Sequence, residues 1–402
     1  MKTSFIIGLA ATTLLLGGCT TATEPQTQPD PTDTDHARPA AADGFTGEAG
    51  HEEVQALPNR VAITARGVVI TLNPFTGEEL GKAEVPGNLQ LSPAGDGRHV
   101  LITSGEQVSV LDVGLVAKPH GQHFHYYVAP PELLDTTLKA PHAGAINSNE
   151  GHTAVFSDST GIVKVFESAH LGNKDLTEAA FDTGAAHAGV ALPFADGTVV
   201  TSRGTDSQPA ELVHMDRAGS VIGSGHPCPE ASGVATVAPG VAAFGCAKGV
   251  ALFAGGKFST VPLEPGASDL AGSAESSVVL AGNPGARSFT LLDTKEHNAR
   301  TVELDSAIGP HSLARGPLGE ALVLASNGTL TVYDADTGQY KDSLQATAAW
   351  DDSAAAAQLI SADGYAFIID PAQQELVVVD LLSWDELYRH HLDFVPEDLV
   401  VL

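Results

Sequence analysis

Leu330-Thr331-Val332-Tyr333-Asp334-Ala335-Asp336-Thr337-Gly338 is the stretch that decides the fold. A five-residue run rich in β-branched and aromatic side chains reads as a strand, and the Asp/Thr/Gly cluster behind it reads as a turn. The same sentence stands near the start of the chain, at Val68-Val69-Ile70-Thr71-Leu72-Asn73-Pro74-Phe75-Thr76-Gly77. Related runs lie at 108–112, 162–166, 211–216, 250–253, 289–293 and 376–380. The copies recur with a period of roughly 40 residues, the length of a four-stranded propeller blade. Most are preceded by another strand-like run, such as His99-Val100-Leu101-Ile102-Thr103, and no amphipathic helix of useful length separates them. An even radial repeat of this kind predicts an all-β protein, a β-propeller with eight blades, seven being the alternative count.

The ends of the repeat region predict how the ring closes. The first copy has strand-like runs at 61–64, 68–72 and 80–85 but none before them, and the C-terminus supplies a spare one, Leu399-Val400-Val401-Leu402. Pairing the terminal strands in one blade leaves no open edge. The propeller domain is therefore expected to span 59–402.

Residues 1–58 are different material. Lys2, the apolar run 5–16 and Leu16-Gly17-Gly18-Cys19 have the layout of a secretory signal peptide, residues 1–18. Its end resembles a bacterial lipobox, which implies cleavage before Cys19 and lipidation of that thiol. No other stretch is long and apolar enough to span a bilayer. Residues 19–58 are rich in Thr, Pro, Ala, Asp and Glu and read as a disordered polar tether. His36, and His51 with Glu52 and Glu53, lie within it as weak metal-capture candidates.

With Cys19 set aside, Cys228 and Cys246 remain, and an exported chain usually pairs its last two cysteines. The net charge of −29 excludes an ordinary nucleic-acid binder and favours attraction of cations. Self-repulsion also favours a monomer.

Three of the sixteen histidines fall within Pro119-His120-Gly121-Gln122-His123-Phe124-His125-Tyr126-Tyr127. Imidazole suits zinc and its first-row neighbours. In an extended segment His123 and His125 share a face, because side chains alternate with period two. The insertion 119–137 lengthens one repeat, and long loops in compact repeats are commonly functional.

The short small-residue runs that open the repeats are expected to be the innermost strands. Their first positions are Asn88, His142, His187, Ser232, Asp269, His311, Asp352 and Asp398. In a propeller these would ring one mouth of the central channel. Capping of strand starts explains Asn, Ser and Asp but not the histidines in His142-Ala143-Gly144 and His187-Ala188-Gly189. If the inserted loop folds over that mouth, His120, His123 and His125 meet His142 and His187, with His311, Asp269 and Asp398 as further ligands of one zinc site or two.

Taken together, the lipobox, the polar tether, the all-β repeats, the His120-to-Tyr127 stretch and the cysteine pair resemble the AztD-like zinc metallochaperones of bacterial zinc ABC importers. The resemblance runs from about Asn59 to the end. It implies a propeller that binds zinc outside the cytoplasm, performs no catalysis and hands the ion to the importer's zinc-binding solute-binding protein. This chain departs from the family in its tether, where only His36 and His51 stand in place of a denser histidine motif. Two readings from other classes compete. A lactonase- or dehydrogenase-type propeller enzyme would use Asp269 or His311, although no nucleophile motif is visible. A metal-free interaction scaffold would need no ligands at all.

Overall fold

A computed structural model describes residues 51–402, apart from 174, 206–207, 239 and 352–354. The expected signal peptide, the expected tether through residue 50, Cys19 and His36 lie outside the described residues, as does Asp352. Among the described residues there are eight four-stranded antiparallel sheets and one three-stranded sheet. Helix is confined there to a single 3-10 turn, Ser168–His170, and no helix is long and apolar enough to cross a membrane.

Six of the four-stranded sheets contain strands consecutive in sequence, as in Ala143–Asn149, His152–Ser157, Ile162–Glu167 and Ala179–Asp182. In each sheet the first strand lies next to the first strand of a neighbouring sheet: Ser232–Val237 beside Asp269–Ala271, then Ile308–Arg315, Gln358–Ala362, Asp398–Val401 and Gln90–Pro93. Gln90–Pro93 approaches Ala143–Asn149, which lies beside Ala191–Pro193. A shared core joining Leu192 and Val200 to Ala242 and Phe244 completes the ring. This radial arrangement is a β-propeller.

Each four-stranded sheet is covered by a neighbour on both faces, so its second strand is buried along most of its length. Val61–Ala65 and Val278–Gly282 have no exposed residue. That is why these strands read as continuous apolar runs rather than as alternating ones. One such interface packs Leu322, Leu324 and Val332 against Ala366, Ile368 and Val377.

The terminal strands close the ring as the sequence predicts. Val61–Ala65 pairs antiparallel with Asp398–Val401, with Val61 opposite Val401 and Ile63 opposite Leu399. Arg60 and Leu402 exchange backbone hydrogen bonds of 2.8 and 2.9 Å beyond it. The pairing satisfies backbone groups that would otherwise form open sheet edges. Cys228 and Cys246 form a disulfide with a Cα–Cα distance of 5.0 Å.

The repeat opening expected at Asp352 falls outside the described residues, and the first described strand of that sheet is Gln358–Ala362, with Leu359 in the shared core. The tether boundary expected at residue 58 moves. Glu52–Val54 is a strand paired with His123–Val128, and composition does not reveal an edge whose hydrogen bonds come from elsewhere in the chain.

Candidate metal centre

The segment 119–137 is not a loop across the channel mouth. It contains part of a β-hairpin, Leu115–His120 with His123–Val128, followed by Glu132–Lys139. Glu132–Lys139 is the fourth strand of its sheet and pairs with the third, Gln107–Asp112. The hairpin is thus inserted between the third and fourth strands, away from the channel-lining first strand. The second of its strands is rich in aromatic and β-branched residues, with Phe124, Tyr126, Tyr127 and Val128, which favours a ladder and which a loop reading overlooks.

The hairpin's root is buried and its tip exposed. Leu115, Val116 and Ala117 are buried, and Leu115 and Val128 join the adjoining core together with Leu57. Ala129 N–H donates to the Gly114 carbonyl at 2.9 Å. Arg60, only 6% exposed, donates from its guanidinium to the Val113 carbonyl and, at 2.6 Å, to that of Ala129. Burial holds this guanidinium below its usual range, with Asp112 opposing. Gly114 has φ +77°, and a Cβ there would lie 2.1 Å from the Ala129 carbonyl oxygen, so only glycine fits the crossing.

At the tip, Gly121 takes φ +62° in the turn, a conformation that costs glycine little. His120 and His123 stand directly opposite each other, and His125 follows two residues along on the same face. Cross-strand pairing therefore adds His120 to the face that alternation gives to His123 and His125. The ring centroids are 5.2, 5.2 and 5.0 Å apart. His125 Nε2 lies 3.2 Å from His123 Nε2 and 3.3 Å from His120 Nδ1. A tetrahedral zinc with Zn–N bonds of about 2.0–2.1 Å separates its nitrogen ligands by about 3.3–3.4 Å. The observed spacings match that edge. Among the described residues, this is the group of three His, Cys, Asp or Glu side chains whose ligand atoms all fall within 4.8 Å of one another. On its other side, His125 Nδ1 lies 2.5 Å from the Glu53 carboxylate.

The remaining sequence candidates occupy two other places, and none joins the hairpin trio. His187 is 3% exposed. Its Nδ1 lies 2.8 Å from the Ala185 carbonyl and its Nε2 lies 3.0 Å from Ser202 Oγ. Its ring meets Phe156 edge-on at 5.0 Å. With both nitrogens hydrogen-bonded, it is a packed core histidine. The glycine of His187-Ala188-Gly189 also has a packing cause, since a Cβ on Gly189 would lie 2.3 Å from the Phe156 ring. Gly144 is set by Asp158, whose carboxylate a Cβ would meet at 2.4 Å.

His142 sits in a turn with φ +47° and lines a shallow pocket with Asn88, Gln90 and Asp158. Burial pushes the Asp158 carboxyl up, opposed by the Gly189 N–H, His187 and His142. Asp158 was not singled out from sequence, where it belongs to an ordinary turn.

His311, Asp269 and Asp398 do lie together, lining the central cavity of about 820 Å³. His311 has φ +52°. Burial pushes both carboxyls up and His311 opposes it. Asp398 accepts backbone N–H groups from Leu91 at 2.7 Å and from Leu399 at 2.9 Å. Asp269 Oδ2 is buried without a protein partner.

Fold and site thus define a β-propeller carrying three converging imidazoles on a hairpin at the outer part of one sheet. No protein-family model matches the sequence. The chain is 24% identical over 373 residues to the zinc chaperone AztD of Citrobacter koseri, an alignment covering 87% of each protein. Two solved structures of C. koseri AztD superpose with TM-scores of 0.74 (the apo form) and 0.75, at 20% and 21% identity, over 86% of this chain and 97% of each of theirs. The dihydro-heme d1 dehydrogenase NirN is a more distant likeness, with a TM-score of 0.53 and 12% identity over 87% of this chain and 79% of NirN. The structural likenesses establish a common propeller fold.

Proposed function

We propose that the protein is an extracytoplasmic zinc metallochaperone, and that His120, His123 and His125 form its exposed zinc site. The carrying observation is the 3.2 and 3.3 Å spacing of their ring nitrogens, which suits one tetrahedral zinc. The curated relative described as a zinc chaperone supports the same reading. Three protein ligands leave a fourth position through which a receiving protein's ligand can enter, as a carrier requires. The site's exposure on a projecting hairpin gives that protein access, and the charge of −29 draws free cations toward the surface.

The receiver in this reading is the zinc-binding solute-binding protein of an ABC importer. Lipidation at Cys19 would hold the chaperone at the membrane. The role is a carrier's, without catalysis.

The test has two stages. Purified protein should retain zinc against a competing chelator and then load the zinc-free solute-binding protein. A chain that takes up no zinc under that competition overturns the reading, and retention without transfer overturns the delivery step.

A further inference from the structure

We propose that Glu53 is a positioning residue for the imidazole site, and that the strand bearing it, Glu52–Val54, tunes zinc affinity by docking on the hairpin edge or leaving it. The inference rests on the zinc reading of that site.

The strand pairs antiparallel with His123–Val128, placing Glu53 opposite Tyr127 and Val54 opposite Tyr126. Tyr127 and His125 share one face of their strand because side chains alternate. Glu53 therefore projects toward His125, and its carboxylate lies 2.5 Å from Nδ1. An ionised carboxylate only accepts hydrogen bonds, so the Nδ1 facing it carries the proton. In the neutral ring, the lone pair then sits on Nε2. Nε2 is the atom that faces His123 and His120, at 3.2 and 3.3 Å. Glu53 thus selects the tautomer that can ligate and fixes the ring's direction. A carboxylate behind a ligating imidazole also raises its basicity, and such partners are commonly worth 10- to 100-fold in metal affinity.

The carboxylate comes from a segment 72 residues earlier in the chain. It can leave without disturbing the hairpin's own ladder. The strand is three residues long, with Glu52 and Glu53 exposed and Val54 half-buried. It borders only His123–Val128 and forms the edge of its sheet. Little apolar area holds it, and elements of this kind open locally at small cost. The hairpin root, held by Arg60 and the buried residues 115–117, is anchored separately. Undocking would free His125 to change tautomer and rotate while His120 and His123 stay in place. Affinity would fall without the loss of a ligand, a graded route to release.

The test uses the full chain with zinc alone. Zinc affinity is measured by chelator competition, release by the rate of transfer to excess chelator, and apo-protein stability by thermal unfolding. Glu53→Ala should weaken zinc binding by about 10- to 100-fold and speed release, with the apo melting temperature unchanged. Glu53→Gln keeps a carbonyl acceptor at the same reach and should lie nearer the parent than Glu53→Ala does. Glu52→Ala removes an equal charge without touching His125 and should bind like the parent. Parent-like binding by Glu53→Ala overturns the proposal. So does equal weakening by Glu52→Ala, which would make the effect one of net charge. So does a matching loss of apo stability in Glu53→Ala, which would make it structural. A parent that takes up no zinc overturns both this inference and the zinc reading, and it does so before any substitution is made.

Discussion

The hairpin tip and the channel-lining strands both carry histidines, and the two sets are held differently. At the tip, His120 and His123 are exposed and His125 is half-buried. Their nitrogens face one another and, for His125 Nδ1, the Glu53 carboxylate. On the inner side of the ring, His187 is buried and both its nitrogens are hydrogen-bonded to Ala185 and Ser202. His142 sits in a turn and His311 at the irregular part of the strand Ile308–Arg315, both with positive φ. An imidazole can ligate only with a nitrogen left over after its hydrogen bonds are made. Residue type therefore nominates both regions, and the remaining bonding capacity distinguishes them.

The largest expected effect breaks this contrast if the contrast is wrong. His123→Ala combined with His125→Ala should abolish tight zinc binding, a greater loss than the about 10- to 100-fold typical of removing an outer partner. His142→Ala should bind as the parent does. His187→Ala should lose stability by about 1–3 kcal/mol, through the polar groups it leaves unpaired, with its zinc affinity intact. Zinc titration and chemical denaturation of the three variants decide it. Loss of zinc in His187→Ala would return the site to the channel.

A second test asks whether the rigid ring and the projecting hairpin are energetically separate. Replacing Cys228 and Cys246 together by alanine removes the disulfide that closes a separation of 18 residues. In the chain-entropy account this should cost roughly 3 kcal/mol. Denaturant unfolding should register the loss while zinc affinity stays at the parent value. A fall in affinity would show that the hairpin depends on the far side of the ring.

The smallest effect concerns the channel carboxyls. Burial raises the folded-state pKa of Asp269 and Asp398 above the ordinary carboxylate value. A raised pKa means that folding favours the protonated form. The stabilising contribution is thus fully present below the unfolded pKa and is lost as pH rises through the raised folded pKa. Thermal stability of the zinc-free protein should decline as pH rises above the ordinary carboxylate range. Asp269→Asn should flatten part of the decline. An unchanged slope in Asp269→Asn would remove Asp269 from this account.

Much of the architecture was legible before any coordinates. The run-and-turn at 330–338 and its counterparts mark one strand position, the third, in successive sheets, because a strand packed between neighbouring sheets is rich in apolar and β-branched residues. The spare run at 399–402 predicted the terminal pairing now observed with Val61–Ala65. The cysteine pairing followed from the export expected of the sequence and the count of available thiols. The shared face of His123 and His125 followed from strand alternation.

What only the tertiary structure decided is where these pieces meet. Cross-strand register placed His120 on the same face as His123 and His125. Insertion between a third and a fourth strand carried all three away from the channel. Pairing across 72 residues brought Glu53, which reads in sequence as part of a polar tail, onto His125. Packing against Phe156 and Ser202 made His187 a core residue despite its metal-ligand chemistry. Local pattern determines which way a side chain leaves its strand, since that follows from backbone period alone. Whether a nitrogen meets solvent, a hydrogen-bond partner or another imidazole depends on contacts distant in sequence, and the fold alone supplies those.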